Sequence, residues 1–213
     1  MPNWPFDARM PRVKRPLVIV LHGVGRTPAD MAPLGERIAA AMPGAEVVAP
    51  PAALPCDRGG PGFQWFSVDG ITEENRPARI AGARGAFIDA IRTLQRVHGS
   101  GPADTVLVGF SQGAIMALAA CTDAFLARQV VAIAGRFAPL PGRWELRTRV
   151  ALVHGTMDGT VPADHSRRAA ARLADLGADL TLDLVPRALH MLSPAIMESA
   201  INALVKPPHP AFN

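Results

Sequence analysis

The sequence predicts an α/β protein with a mostly parallel, doubly wound sheet of about six or seven strands. Short runs of β-branched and other apolar residues, typical of strands buried on both faces, recur along the chain. Longer segments with helical spacing of apolar residues separate them, as in parallel strands joined by crossover helices. With 213 residues, 49% of them hydrophobic, we expect one domain over residues 1–213.

The first strand is predicted at residues 17–21, a continuous run of leucine, valine and isoleucine. Residues 27–30, Thr-Pro-Ala-Asp, match a helix start with an N-cap, a proline and an acid in the first turn. A helix is therefore predicted to about Met42. A second strand at residues 46–50 leads into a long loop at residues 51–70, dense in proline and glycine. A loop of this length is typical of a functional segment.

The rest of the chain continues the alternation. A helix is predicted at residues 73–97 because Ile80, Phe87, Ile91 and Leu94 recur at helical spacing. The glycines and proline of residues 99–102 end it. The further predicted elements are strands at residues 105–108, 130–134, 150–153 and 180–185, and helices at residues 114–120, 163–176 and 194–205.

The pentapeptide Gly109-Phe110-Ser111-Gln112-Gly113 lies between a predicted strand and a predicted helix. In this context G-x-S-x-G forms a nucleophile elbow, a sharp turn that exposes its serine. Strand and helix pass close together at such a turn, so the positions two residues either side of the serine must lack side chains. Ser111 is the candidate nucleophile.

Two polar residues follow predicted strands at their carboxyl ends, where doubly wound sheets gather their working groups. Asp158 lies in the loop after the strand at residues 150–153, and His190 follows the last strand by five residues. The order Ser111, Asp158, His190 is the one expected of an α/β-hydrolase. The alternative interpretations are a turn aspartate beside Gly159 and an ordinary surface histidine.

The remaining acids and histidines have weaker claims. Asp164 is assigned to the first turn of a helix and Asp183 to a strand. His154 is expected to shape its loop. The histidines set aside as bases are His22, His98, His165 and His209.

The three candidates match the needs of ester cleavage. A serine hydroxyl needs a base in hydrogen-bond reach, and imidazole suits this role at neutral pH. His190 is assigned as that base, and Asp158 as the anion that orients its ring. The tetrahedral intermediate needs preorganised donors, which this fold takes from the backbone. We assign them to the N–H groups of Gln112 and Val24.

Five segments together resemble the phospholipase/carboxylesterase family, which includes the acyl-protein thioesterases. They are His22-Gly23-Val24-Gly25, residues 64–68, residues 109–113, residues 154–162 and His190. The resemblance spans roughly residues 17–205, and the phenylalanine and glutamine beside Ser111 make it more specific than G-x-S-x-G alone. It implies a compact α/β-hydrolase without a large cap domain, the Ser111/Asp158/His190 triad, and an oxyanion hole from Val24 and Gln112.

Three departures from the family pattern are visible. Val24 and Arg26 stand where members often have leucine and an acidic residue, so Arg26 reverses a charge near the mouth of the site. Ala114 replaces a second glycine after the elbow. Met191 and Leu192 follow His190 in place of a polar pair, and the sequence offers no reading of that change.

We expect a serine carboxylic-ester hydrolase that forms an acyl-enzyme and uses no metal or organic cofactor. Its partner is a small-molecule acyl ester or thioester. Thioesterase or lysophospholipase activity is the nearest variant, and a hydrolase-like binding protein without turnover is the alternative of another class. Trp65 and Phe66 are predicted to wall the acyl pocket, because a loop rich in proline and glycine needs a reason to carry large apolar groups. Core anchors for the loop are the alternative.

Composition excludes several other classes. The net charge is +4, but the arginines are scattered, without aromatic interleaving or a nucleic-acid motif, so no nucleic acid is expected. No apolar stretch approaches a membrane span, and residues 1–10 lack signal-peptide features, so we expect a cytoplasmic protein without stable membrane insertion. Cys56 and Cys121 offer no metal-ligand spacing and are expected to be free thiols. The choice between monomer and homodimer stays open.

Overall fold

The computed structural model describes residues 15–205, and within them six parallel strands form the main sheet. Two further strands form a small antiparallel hairpin. The strands are β1 Leu17–Leu21, β2 Glu46–Val48, β3 Leu54–Pro55, β4 Phe63–Gln64, β5 Thr105–Phe110, β6 Gln129–Ile133, β7 Arg149–Gly155 and β8 Leu180–Val185. The helices are α1 Ala32–Ala41, α2 Arg76–Val97, α3 Gln112–Ala120, α4 Asp164–Asp175 and α5 Pro194–Val205, with 3₁₀ turns at Pro28–Met31 and Pro102–Asp104.

The strand order of the main sheet is β2-β1-β5-β6-β7-β8. The chain changes direction beside β1, because β2 lies on one side of it and β5 on the other. Such a switch point opens a crevice at the carboxyl ends of the strands. Leu21 pairs with Gly109, and Gly155 pairs with Val185, so the loops after β1, β5, β7 and β8 meet at one edge.

Two apolar layers cover the sheet. One layer packs α2, α3 and α4 against one face, with Phe87, Ile91, Met116 and Leu173 buried in it. The other packs α1 and α5 against the opposite face. Because both faces are covered, β1, β5 and β6 are buried along their whole length, and this explains why their sequences are apolar apart from Thr105 and Gln129 at the starts of β5 and β6.

The predicted fold class is confirmed, and the described strands of the main sheet are all parallel. The predicted helix at residues 73–97 begins later, at Arg76, because Thr72 and Asn75 form a turn before it. The N–H of Thr72 donates to Asn75 Oδ1 (2.9 Å), and the N–H of Asn75 donates to Thr72 Oγ1 (3.3 Å). The hairpin of β3 and β4 was not predicted, since strands of two residues carry no readable period.

Two other expectations concern a signal peptide and a membrane span, and only the second falls on the described residues. Residues 1–10, on which the expectation of no signal peptide rests, lie outside them. Among residues 15–205, no helix combines the length and apolar character needed to cross a bilayer.

Candidate active site

Ser111 lies at the turn between β5 and α3 with a strained backbone, at φ 52° and ψ −115°. Its N–H donates to Ile133 O (2.9 Å), which fixes the turn to the end of β6. A Cβ on Gly109 would lie 2.5 Å from the nitrogen of Ala114, and one on Gly113 would overlap the carbonyl oxygen of Leu21. The two glycines therefore permit the close passage of strand and helix that a nucleophile elbow requires.

Ala114, the departure after the elbow, has a compensating neighbour. A Cβ on Gly135 would lie 2.6 Å from the Cβ of Ala114. The extra methyl group of the helix is accommodated because the loop after β6 has none at the facing position.

The structure brings Ser111, His190 and Asp158 into one hydrogen-bonded chain. His190 Nε2 lies 2.9 Å from Ser111 Oγ, and His190 Nδ1 lies 2.6 Å from Asp158 Oδ2. The ring of Phe110 lies 5.1 Å from the imidazole, centroid to centroid, and limits its movement. All three polar side chains extend from loops at the carboxyl edge of the sheet.

Asp158 is buried and fully used as an acceptor. Its Oδ1 accepts the N–H groups of Thr160 (2.9 Å) and Val161 (2.8 Å), so its own loop wraps around it. Its Oδ2 faces His190 and also lies 3.2 Å from His154 Nε2. A carboxylate held at both oxygens has one available orientation.

His154, which was expected only to shape its loop, lies near the end of β7 and contacts the Asp158 carboxylate. It is fully buried, its Nε2 also lies 2.7 Å from Val161 O, and its Nδ1 lies 2.7 Å from Ser166 Oγ. Since both neighbours of Nε2 are acceptors, that nitrogen carries the proton. Burial lowers the pKa of His154, which keeps the ring neutral, with Nδ1 accepting from the Ser166 hydroxyl. The spacing of four residues between His154 and Asp158 was the sequence signal for this contact. That spacing alone does not predict a hydrogen bond between the imidazole and the carboxylate.

The loop after β1 lies against the elbow. A Cβ on Gly23 would lie 3.2 Å from Ser111 Cβ. Gly25 has φ 72°, a left-handed conformation that favours glycine, and its N–H donates to Phe63 O (2.8 Å). Arg26 closes the turn, since its N–H donates to Gly23 O (3.2 Å). Val24, assigned as an oxyanion donor, lies within this turn beside the nucleophile.

The side chain of Gln112 ties the elbow to the long loop. Its Oε1 accepts the N–H of Trp65 (2.7 Å), and its Nε2 donates to Phe66 O (2.8 Å). The sequence predicted a role for the backbone of Gln112 only. Because the partners are main-chain atoms nearly fifty positions away, no residue pattern indicates this clamp.

The predicted substrate-binding aromatics lie mainly inside the protein. Trp65 and Phe66 are 9% and 3% exposed and belong to the core between the sheet and α2. The Trp65 indole donates to His22 O (2.8 Å) and packs edge-on against Phe87, with ring centroids 5.2 Å apart. These contacts give Trp65 a packing role, and its role as an acyl wall stays a prediction.

The model of the Phospholipase/Carboxylesterase family matches residues 10–206. The chain belongs to this family. Esterase YpfH of Escherichia coli (strain K12) is 40% identical over 190 residues, covering 88% of this chain and 81% of the relative. The predicted class of enzyme, an ester-bond hydrolase, is confirmed by this membership.

Solved structures give the same result for the phospholipase/carboxylesterase fold. The crystal structure of esterase PE8 superposes with a TM-score of 0.80 at 30% identity, covering 89% of this chain and 91% of that one. A carboxylesterase from Mesorhizobium loti superposes with a TM-score of 0.75 at 21% identity, covering 91% and 90% of the two chains. At that lower identity the likeness concerns the fold alone.

Two buried histidines make the stability of the site region dependent on pH. His22 is fully buried, accepts the N–H of Ala52 at Nε2 (3.0 Å) and donates from Nδ1 to Gly23 O (2.7 Å). Burial lowers the pKa of both His22 and His154 below the ordinary 6.5. Below pH 6.5 the unfolded chain therefore binds protons that the folded chain does not.

We expect the contribution of these two histidines to the free energy of unfolding to be constant above pH 6.5 and to fall as the pH drops below it. The slope is at most about 1.4 kcal/mol per pH unit for each histidine. Urea unfolding between about pH 8 and about pH 5 measures it. A His22→Gln variant is the comparison, since it should show a shallower slope. Equal slopes in the two proteins would contradict the assignment of His22 as a buried neutral ring.

Proposed function

We propose that this chain hydrolyses carboxylic esters through a Ser111–His190–Asp158 triad and an acyl-enzyme. The observation that supports it most is the continuous contact from Ser111 Oγ through both ring nitrogens of His190 to Asp158, with the serine on a strained elbow. Strain of this kind, about 1–3 kcal/mol, persists where function requires it.

In the first half-reaction Ser111 Oγ forms a bond to the ester carbonyl carbon, and its proton moves to His190 Nε2. The imidazolium is stabilised by Asp158 at the other ring nitrogen. When the tetrahedral intermediate collapses, the carbon–oxygen bond to the alcohol breaks and His190 gives its proton to the departing oxygen. A water molecule then repeats the sequence against the acyl-enzyme, with His190 taking the water proton and returning it to Ser111.

The oxyanion of each intermediate is assigned to two backbone donors. Gln112 is the first residue of α3, so its N–H has no acceptor within the helix and points out at the helix start. Val24 lies in the turn that packs on Ser111. The side-chain clamp of Gln112 onto residues 65 and 66 holds the first donor still, and preorganised donors are worth about 2.7–4 kcal/mol each.

Thioesterase and lysophospholipase activities use the same acyl-enzyme chemistry, and a non-catalytic binding protein would keep the pocket without turnover. Labelling with a fluorophosphonate probe separates turnover chemistry from mere binding, since only an activated serine reacts. We expect stoichiometric labelling of the wild-type chain at Ser111, identified by peptide mass spectrometry. An unlabelled protein, or a label elsewhere, would contradict the proposal. Acyl esters and thioesters of graded length then distinguish the variants.

The test of Trp65 as a wall of the acyl pocket must be separated from the loss of its packing in the core. Trp65→Ala removes a buried indole and should lower the free energy of unfolding by about 3–5 kcal/mol. If Trp65 also walls the acyl pocket, each methylene in contact contributes up to about 0.8 kcal/mol, and the rise of kcat/KM from acetyl to octanoyl esters should flatten. Trp65→Phe, which keeps a ring against Phe87, provides a folded comparison. A loss by the same factor for every ester would make Trp65 a packing residue alone.

A further inference from the structure

A cavity of about 190 Å³ lies against Phe110, whose ring faces the His190 imidazole. Phe110, Met191, Leu192, Met31, Arg26 and Asp30 line it. Phe110 precedes the nucleophile and contacts the imidazole, and Met191 and Leu192 follow His190 in the chain. Two larger cavities of about 260 Å³ lie along the loop at residues 136–142, one against α2 and α3 and the other against α2 and α4. None of the three cavities is lined by Ser111, Asp158 or His190, but only the 190 Å³ cavity includes the chain neighbours of Ser111 and His190.

Met191 and Leu192 form part of the apolar lining of this cavity. Met191 is 53% exposed, whereas Met31 and Phe110, which also line the cavity, are buried. Met191 follows His190 directly, so an apolar group bound in the cavity would lie close to the proposed base. An apolar segment of a substrate would cover Met191.

The charged part of the cavity is Arg26. Its backbone is fixed, since the N–H donates to Gly23 O and the carbonyl accepts the N–H of Phe63 (2.9 Å). Its side chain is 60% exposed, and among residues 15–205 its partner is Asp30, with Nη1 lying 3.5 Å from Oδ1. That distance marks a weak pair, and only one of the five guanidinium N–H groups faces it.

Asp30 is mainly committed elsewhere. Its Oδ2 accepts the N–H (2.7 Å) and the hydroxyl (2.8 Å) of Thr27, and these bonds lower the pKa of the carboxyl. The carboxylate thus stabilises the helix start and holds Arg26 loosely. The Nε and Nη2 side of the guanidinium is left for a second carboxylate, which it can bind with two parallel hydrogen bonds.

We propose that this cavity binds the part of an ester beyond the scissile bond, and that Arg26 selects esters carrying a carboxylate there. This inference rests on the proposed function and names its substrate class. The carboxylate could belong to the acyl or to the alcohol half, because both halves leave the reacting carbon near Phe110 and Met191. The chemistry is shared, and two pairs of esters distinguish the source.

The acyl pair is the p-nitrophenyl half-ester of glutaric acid against p-nitrophenyl valerate, and the alcohol pair is p-acetoxybenzoate against p-acetoxybenzamide. The measured quantity is the ratio of kcat/KM for the anionic ester to that for its neutral match. We expect Arg26→Gln to lower this ratio on the order of fivefold in one pair. Asp30→Asn, which removes the competing charge and keeps an acceptor for Thr27, should raise it. Added salt should lower it in the wild type.

The matched control is Arg37→Gln, an exposed arginine of α1 with the same change in net charge. An unchanged ratio in both ester pairs for Arg26→Gln overturns the inference, as does an equal change in Arg37→Gln. Either result leaves the proposed function intact, because that function is judged by Ser111 labelling and by turnover of the neutral esters.

A second inference follows from His154, independently of the cavity. The geometry points to His154 as a positioning residue that acts on the reaction through Asp158. Its Nε2–H is shared between Val161 O and Asp158 Oδ2, the oxygen that also faces His190. The titratable groups that act on His154 are Asp158, in direct contact, and His190 beyond it. Since His154 stays neutral, it supplies a donor and no charge.

This donor changes how strongly Asp158 holds the His190 imidazolium. With two donors on Oδ2, the negative charge of the carboxylate is divided between two rings. Without His154, Oδ2 would face His190 alone and would stabilise the protonated ring more. The acidic limb of the kcat/KM profile would then move to higher pH. A role limited to packing predicts the opposite, because a loosened Asp158 stabilises the imidazolium less.

Two variants of His154 distinguish the role of its Nε2 from that of its Nδ1. His154→Gln places an amide N–H near the position of Nε2 and keeps a donor for Asp158, whereas His154→Asn is shorter and reaches only the Ser166 side. We expect the acidic limb to move up by roughly half a pH unit to one unit in His154→Asn and to stay close to wild type in His154→Gln. Circular dichroism confirms that both are folded.

Movement of the limb to lower pH in His154→Asn, or equal movement in both variants, overturns the assignment. If His154→Asn does not fold, an NMR titration of the His190 ring in His154→Gln decides. If the His190 ring in His154→Gln titrates more than about half a pH unit lower than in the wild type, the donor at position 154 does not act on His190 as proposed. Loss of activity at every pH in Ser111→Ala belongs to the proposed function and is a separate result.

Discussion

Ser111→Ala should lower kcat for ester hydrolysis by on the order of 10⁶. Without Oγ there is no acyl-enzyme, and His190 has no proton to take. The fold should persist, because alanine adopts the strained backbone of the elbow no less readily than serine and the N–H bond to Ile133 is unchanged. Steady-state hydrolysis of p-nitrophenyl butyrate measures the loss.

The controls for this substitution are the two thiols. Cys56 and Cys121 are free and buried. Burial raises the pKa of Cys121 to about 12, so this thiol is not a nucleophile at neutral pH. Cys56→Ala and Cys121→Ala should keep their turnover. Ser111→Ala with more than a few per cent of wild-type activity and a matched circular dichroism spectrum would show that the assignment of the nucleophile is wrong.

Asp158→Asn should reduce kcat by roughly 10⁴ with little change in fold. An asparagine keeps an acceptor for the N–H groups of Thr160 and Val161 through Oδ1, so its amide nitrogen must face His190. A donor there favours the tautomer with the proton on Nε2, which cannot accept the proton of Ser111. The same amide also meets the Nε2–H of His154, so two donors are opposed.

Asp164 and Asp183 are the matched acids. Asp164 begins α4 and pairs with Arg168 (2.9 Å), and Asp183 accepts the hydroxyl of Ser199 (2.6 Å). Their asparagine variants should leave kcat within about twofold, since neither acid touches the site. An Asp158→Asn protein with kcat in that same range would remove Asp158 from the proposed triad.

The sequence predicted the frame of the site because that frame follows from topology. Parallel strands bring their carboxyl ends to one edge, so the elbow after β5 and the loops after β7 and β8 had to be neighbours. The conserved geometry of G-x-S-x-G then predicts where Ser111 points, and the order of acid and base along the chain leaves few candidates. The distances among Ser111, His190 and Asp158 agree with that prediction, while their catalytic roles await the variants.

What the sequence could not predict depends on irregular backbone. The aromatic side chains at residues 63–66 lie in the two-residue strand β4 and directly after it, where no period indicates an inward or outward face, and Trp65 is buried in the core. The contact of His154 with Asp158 depends on the path of one loop. The Gln112 clamp joins a helix start to main-chain atoms of a distant segment, and hydrogen bonds to main chain leave no trace in residue identity.

The Gln112 clamp has a consequence for redesign. Gln112, whose backbone N–H is the proposed oxyanion donor, binds two adjacent peptide groups of the long loop with its side chain. A loop transplanted from a related esterase would therefore have to place one N–H at position 65 and one carbonyl at position 66 against the Gln112 side chain. This requirement concerns main-chain atoms and does not depend on the side chains of the loop. We expect chimeras to keep the proposed oxyanion donor in place if they preserve this pair of peptide groups and the Asp57 carboxylate, which accepts the N–H groups of Val68 and Asp69. Chimeras that shift the pair by one residue should displace that donor along with the loop.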